Sequence, residues 1–183
     1  VEKDMEKAMD YYLKAANNGS TIAMSNLARN YSRKDSGFYD PSQAVVWYRK
    51  LVDGGNEKFL DYLIDVYEEM GDYREAIMLY EKQASQGNTS ALNQLAYIYA
   101  QGKGVNKDFD KALSYIDKAI SLAPDDIDYQ DSKGEILVMK GDINKAKKVW
   151  KKINTRQPFY YQNWIKEHGH EPPFYSYMNA NSD

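Results

Sequence analysis

Residues 91–112 read ALNQLAYIYAQGKGVNKDFDKA and carry a pattern that returns along the chain. Asp108 in this stretch is followed four residues later by Ala112 and, beyond the stretch, eight residues later by the branched Ile116. Similar blocks begin at Asp4, Asp40, Asp72 and Asp142. Their alanines stand at positions 8, 44, 76, 112 and 146, so the steps are 36, 32, 36 and 34 residues. A period of this size is typical of helical repeat proteins.

Each block reads as the second helix of a helical hairpin, with its Asp at the N-cap. A carboxylate at that position accepts hydrogen bonds from the first turn and lies at the positive end of the helix dipole. Pro41 follows Asp40 at the first helical position, where the missing N–H costs nothing. The Ala then lies on the same helix face as the cap, and its methyl group lets a paired helix approach closely.

The first helix of each hairpin follows a glycine that ends the preceding helix. Such glycines stand at Gly19, Gly55 and Gly87. After them, Leu and Tyr recur four residues apart, a spacing that favours helix over strand. These pairs are Leu27 and Tyr31, Leu63 and Tyr67, and Leu95 and Tyr99. The sequence therefore predicts an all-α protein built from antiparallel helix pairs.

Composition restricts the function classes. With 24 basic and 27 acidic residues the net charge is −3, so nucleic acid is a poor candidate partner. The absence of cysteine excludes disulfides and thiolate chemistry but leaves the compartment unknown. No apolar run approaches the roughly 20 residues of a membrane helix. We expect a soluble protein without a membrane span, whose first residues begin in mid-repeat.

The quoted stretch resembles the Sel-one-like repeat, and one further block is similar to the related tetratricopeptide repeat. The first resemblance rests on Ala91, Leu95, Ala96, Tyr99, Gly102, Gly104, Val105, Asp108, Lys111 and Ala112. The second rests on the copy from Asp108 to Asp142, with Pro124, Gly134 and Leu137. The resemblance implies a right-handed α-solenoid of antiparallel helix pairs over residues 1–158. It also implies a scaffold that binds proteins or peptides.

In this family the first helix of each pair lines the concave face, so candidate partner-binding residues are sought there. Assigning the Leu positions to the core leaves four exposed pairs, each four residues apart. They are Ser25 and Arg29, Asp61 and Asp65, Asn93 and Tyr97, and Asp131 and Glu135. This mostly acidic set favours a partner with Lys or Arg, and Tyr97 offers a ring for stacking. The alternative is an ordinary solvated helix face, which also carries charge.

The C-terminal stretch, residues 159–183, departs from the repeat pattern. Its aromatic residues are expected to form a capping helix and tail, although a role in self-association is the alternative. His168 and His170 lie there, but their spacing matches no established zinc motif. We therefore predict no metal site, no cofactor and no catalytic residues.

Two functions remain open from the sequence. The first is a non-catalytic adaptor whose concave face binds a protein or peptide. The alternative is a structural or assembly component of a cell-envelope or multiprotein complex, which makes its contacts through the solenoid ends or the outer face. Family membership alone does not identify the partner.

Overall fold

The computed structural model describes residues 2–156 of the chain, with side chains from residue 4 to residue 153. In that range the fold is all-α, as predicted, with nine α-helices, one short 3₁₀ turn at Glu57–Phe59, and no strand. The helices are α1 (Glu2–Asn17), α2 (Thr21–Ser32), α3 (Pro41–Asp53), α4 (Leu60–Met70), α5 (Tyr73–Ser85), α6 (Thr89–Gln101), α7 (Phe109–Leu122), α8 (Ile127–Lys140) and α9 (Ile143–Arg156). The predicted cap and tail, residues 159–183, lie outside the described residues.

The described part of the chain forms two compact units, unit 1 up to Leu79 and unit 2 from Tyr80 onward. In unit 1, α2 packs on both α1 and α3, and α3 packs on α4. In unit 2, α6 packs on α7 and on α8, and α8 also packs on α7 and on α9. Because short connections join helices that pack along their lengths, successive helices in each unit run antiparallel.

The repeated Asp caps helices as predicted at two of its five positions. The Asp40 carboxylate accepts from the Gln43 amide at 3.1 Å, and the Asp108 carboxylate accepts from the Lys111 amide at 2.9 Å. Asp72 and Asp142 immediately precede α5 and α9. The prediction is wrong for Asp4, because α1 begins at Glu2 and Asp4 is already inside the helix.

The same backbone hydrogen bond closes the turn within four hairpins. In each, the amide of the repeated Asp donates to a carbonyl near the end of the preceding helix. The pairs are Asp40 to Tyr31 (2.8 Å), Asp72 to Tyr67 (2.8 Å), Asp108 to Tyr99 (2.9 Å) and Asp142 to Leu137 (2.8 Å). The turns differ in length, but each ends at an equivalent hydrogen bond. The second helix of each hairpin therefore starts at the same structural position, although the spacing of the repeats in the sequence varies.

Small and large side chains alternate in the cores of both units. Ala44, Ala76, Ala112 and Ala146 are all completely buried, as the close approach of helices requires. The large core residues include Leu27, Leu51 and Leu63 in unit 1, and Leu95, Ile116 and Trp150 in unit 2. The helix ends predicted at Gly19, Gly55 and Gly87 are confirmed, since all three have φ between +84° and +88°.

Candidate partner-binding face

In unit 1, the predicted face is formed by one side of α2 and one side of α4. Ser25 is half-buried, and its hydroxyl donates to the Ile22 carbonyl at 2.9 Å. Arg29, one turn further along, is exposed and donates to the Asn26 side-chain oxygen at 3.1 Å. We call Ser25, Arg29, Asp61 and Asp65 the first-helix face of unit 1.

Asp61 and Asp65 are both exposed on α4, whose opposite side enters the core through Leu63, Ile64 and Tyr67. The two carboxylates are one helical turn apart and repel each other. The pKa of Asp65 is raised above its usual value, first because neighbouring atoms shield its carboxylate from water and second because of Asp61. The surroundings of Asp65 therefore disfavour its negative charge.

Three aromatic rings lie beside these carboxylates. Tyr48 of α3 stacks on Tyr62 of α4, with ring centroids 5.8 Å apart and ring planes 11° from parallel. Phe59 lies 6.2 Å from each of them in a tilted arrangement. Tyr48 is buried, whereas Tyr62 is 55% exposed. Tyr62 does not correspond to any of the positions that recur in the repeats. The sequence pointed to it only as an aromatic residue on a first helix, at a position to which the repeat pattern assigns no role.

The hydroxyl of Tyr48 reaches the first-helix face of unit 1. Its pKa responds to Ser32 and to the charges of Arg29 and Asp65, which places all three near the ring. Burial is the main cause of the raised pKa of Tyr48. The stacked rings and the acidic pair thus belong to one surface of unit 1.

In unit 2, α6 and α8 bring Tyr97 and Glu135 together. The Tyr97 hydroxyl donates to the Glu135 carboxylate at 2.5 Å. The pKa of Tyr97 is raised well above its usual range, first by burial and then by this hydrogen bond. Both residues are half-buried. The prediction of a freely available Tyr97 ring is therefore corrected, because α8 covers part of the ring and Glu135 holds its hydroxyl.

The prediction that Asp131 is exposed is wrong. Asp131 is only 6% exposed, and its carboxylate accepts a hydrogen bond of 2.8 Å from the indole nitrogen of the buried Trp150. The polar indole N–H needs an acceptor inside unit 2, and Asp131 supplies it. Asp131 thus belongs to the interior of the unit.

Asn93 is half-buried on α6, between two residues whose side chains hydrogen-bond to α8. Tyr97 donates to Glu135, and the Tyr129 hydroxyl donates to Thr89 at 3.0 Å. The Asn93 side-chain oxygen is buried and has no hydrogen-bond partner within the described residues. In unit 2 the predicted residues therefore mostly connect two helices.

Unit 2 also has a cleft of about 500 Å³ beside the long turn that precedes α7. Two of its lysines are engaged by other residues that line the cleft. Lys111 donates to the Tyr99 hydroxyl at 2.7 Å, and Lys140 pairs with Asp110 at 2.5 Å. The remaining lining residues are Val105, Asn106, Lys107, Asp108 and Phe109.

Metal-binding clusters and membrane-spanning helices are both absent from residues 4–153, the part of the chain whose side chains the structure describes. No group of three or more His, Cys, Asp or Glu side chains that could hold a metal ion occurs there. None of the helices in that part combines the length and apolar character needed to cross a membrane.

Comparison with protein families accounts for the repeats. The Sel1 repeat model matches residues 1–20, 21–56 and 89–124, which together are half of the chain. The chain belongs to the Sel1 repeat family. A tetratricopeptide repeat model matches residues 63–90. The expected mixture of Sel1 and tetratricopeptide repeats is therefore confirmed, although the tetratricopeptide match falls on an earlier copy than the one from Asp108 to Asp142.

Two curated relatives are similar to this chain in sequence. The ERAD-associated E3 ubiquitin-protein ligase component HRD3 of Candida glabrata is 28% identical over 123 residues, which are 63% of this chain and 15% of the relative. Human protein sel-1 homolog 2 is 30% identical over 131 residues, which are 67% of this chain and 19% of the relative. The chain thus spans less than a fifth of the length of either relative.

Solved structures support the solenoid fold class. A protective antigen of uropathogenic Escherichia coli strains that displays an SLR fold is 25% identical, with a TM-score of 0.52. That match covers 82% of this chain and 34% of the other. A Sel1 repeat protein from Oxalobacter formigenes is 23% identical with the same TM-score of 0.52, covering 98% of this chain and 78% of the other. Together with the helix pairs, these matches show an all-α solenoid.

Proposed function

We propose that this Sel1 repeat protein is a non-catalytic scaffold that binds a protein or peptide partner through exposed faces of its first helices. The observation that carries the proposal is the pair Asp61 and Asp65, exposed on a helix whose other side is core. A fixed pair of carboxylates on a rigid helix gives a partner a defined surface at low ordering cost. Its charge favours a partner that presents Lys or Arg.

The relatives support the same class of function. HRD3 is a component of a ubiquitin-protein ligase, and a component of a multiprotein enzyme needs surfaces that bind other proteins. The Sel1 repeats of the present chain supply helical surfaces of that kind, built from stacked units. A scaffold of this kind requires neither a cofactor nor a metal.

Charge reversal tests the proposal. The full chain is used as bait, and the proteins it retains are compared by mass spectrometry with those retained by D61K/D65K. Loss of specific partners is expected, because opposed charges become like charges. D53K is the matched control, since Asp53 is also an exposed carboxylate of unit 1. If D61K/D65K retains every partner that the unaltered chain retains, contacts through the solenoid ends or outer face are favoured instead.

A further inference from the structure

We infer that the surface formed by Tyr62, Asp61 and Asp65 seats an arginine side chain of the partner. This inference rests on the proposed function and specifies the chemistry of one contact. We call these three residues the arginine seat. Asp65 lies four residues after Asp61 and three residues after Tyr62 on α4, so it shares one side of the helix with each of them.

The first argument concerns the ring. Tyr48 covers one face of the Tyr62 ring in a nearly parallel stack, and the buried position of Tyr48 fixes that stack in place. Tyr62 is 55% exposed, so a large part of this side chain is accessible to a partner. A planar guanidinium group stacks on such a surface and is attracted by its negative face.

The second argument concerns charge. Asp65 adjoins the ring, and its negative charge is disfavoured by partial shielding from water and by Asp61. A cation placed between the ring and Asp65 would relieve both effects, because it offsets the repulsion and donates hydrogen bonds to the carboxylate. The seat is thus complementary to a group that is at once flat, positively charged and rich in N–H donors.

Arginine fits this combination better than lysine. Its guanidinium presents several N–H donors in one plane, so it can lie on Tyr62 while its edge reaches Asp65. An ammonium group is a more strongly hydrated point charge and gives no stacking surface. Two cations of unit 1 lie close to the seat: Arg29 affects the pKa of Tyr48 together with Asp65, and the Lys58 ammonium lies 5.1 Å from the centre of the Phe59 ring. Both positive charges weaken the attraction of the seat for a partner's arginine.

The inference is tested by titrating the full chain with Nα-acetyl-arginine methylamide and following backbone amide shifts by NMR. The shifts are expected to concentrate on residues 59–66. The citrulline analogue has nearly the same shape without the charge and is expected to give no such shifts. The lysine analogue is expected to bind about threefold more weakly, because it loses the stacked contact. Equal shifts with citrulline, or shifts spread over the surface carboxylates, would overturn the seat.

Matched variants assign the contact to its residues. D65N is expected to weaken arginine binding about threefold, the scale of an exposed ion pair, while D53N leaves it unchanged. Y62L is expected to weaken binding to a similar extent, whereas Y62F keeps the ring and the affinity. R29Q is expected to strengthen binding by removing a repulsive charge. Equal affinities for D65N and D53N would rule out the seat.

This test is separate from that of the proposed function. A chain that loses partners in D61K/D65K but shows no shifts near residues 59–66 with the arginine probe is still a scaffold. In that case the inference about arginine fails alone. Retention of all partners by D61K/D65K would instead remove the scaffold function assigned to this face.

Discussion

The indole nitrogen of Trp150 donates a 2.8 Å hydrogen bond to the carboxylate of Asp131, and the two residues lie on adjacent helices of unit 2. Trp150 is 1% exposed and fills the space beside Gly134. A Cβ atom on Gly134 would lie 2.3 Å from the same indole nitrogen. Asp131 of α8 therefore accepts the indole hydrogen bond, and the absence of a side chain at Gly134 leaves the space that the ring occupies.

Gly134→Ala is expected to destabilise the protein. In an ordinary helix interior this change stabilises by roughly 0.5–1 kcal/mol, because Gly has more backbone freedom to lose. Here the added methyl group overlaps the Trp150 ring, and overpacking of this kind costs about 1–3 kcal/mol. Urea unfolding followed by circular dichroism measures the change. A variant more stable than the parent would show that the ring can move aside.

Trp150→Phe is expected to cost more stability than Trp47→Phe. Both residues are buried, but the Trp47 indole nitrogen has no hydrogen-bond partner within the described residues. Losing the Trp150 N–H takes a donor from the buried Asp131 carboxylate, which costs about 1–3 kcal/mol. Trp47→Phe removes a similar area of ring without that loss. Equal losses in urea unfolding would show that the hydrogen bond contributes nothing net.

The sequence was sufficient to predict features that repeat. The buried alanines and the left-handed glycines occupy the same place in successive copies, so spacing alone identifies them. The capping role is confirmed at Asp40 and Asp108 and is wrong at Asp4, where the helix begins before the repeated residue. The repeat period thus predicts the residues that every repeat needs for its helices to end and to pack closely.

The candidate face was less predictable, because its properties depend on pairs of residues from different helices. The repeat pattern places Asp131 at an outward position. In the structure its carboxylate is buried and accepts a hydrogen bond from the indole of Trp150, 19 residues later. The ring of Tyr97 is likewise held by Glu135, 38 residues later. Conversely, Tyr62 becomes a recognisable surface only once Tyr48 is seen stacked on it. Single-helix reasoning cannot identify such partners.

Ala112→Leu is expected to destabilise the contact between α6 and α7. Ala112 is completely buried at a repeat position, so three additional carbon atoms have no space without displacing a helix. The expected cost is about 1–3 kcal/mol, read as a lower thermal midpoint. Ser114→Leu introduces the same side chain at an exposed position of α7 and is expected to change stability by less than about 0.5 kcal/mol. Similar losses in the two variants would contradict close packing at Ala112.

Asp65→Asn is expected to stabilise the folded protein at pH 7. Burial and Asp61 raise the pKa of Asp65 in the folded state above its usual 3.8. The unfolded chain therefore releases this proton more readily, and stability falls as the pH rises from 3.8 through the folded pKa. The neutral amide removes this loss. Urea midpoints measured at pH 7 and below pH 3.8 should show an advantage for the variant only at the higher pH.

The same substitution connects stability with binding. Asp53→Asn serves as control, because Asp53 is exposed and is not among the groups that raise the pKa of Asp65. If Asp65→Asn stabilises the fold while weakening arginine binding, the carboxylate opposes folding and serves recognition, a trade-off found at functional sites. If the variant is less stable than the parent at pH 7, the Asp65 carboxylate makes a favourable contact within unit 1. Its charge is then already compensated in the folded protein, which contradicts its proposed role in binding a ligand.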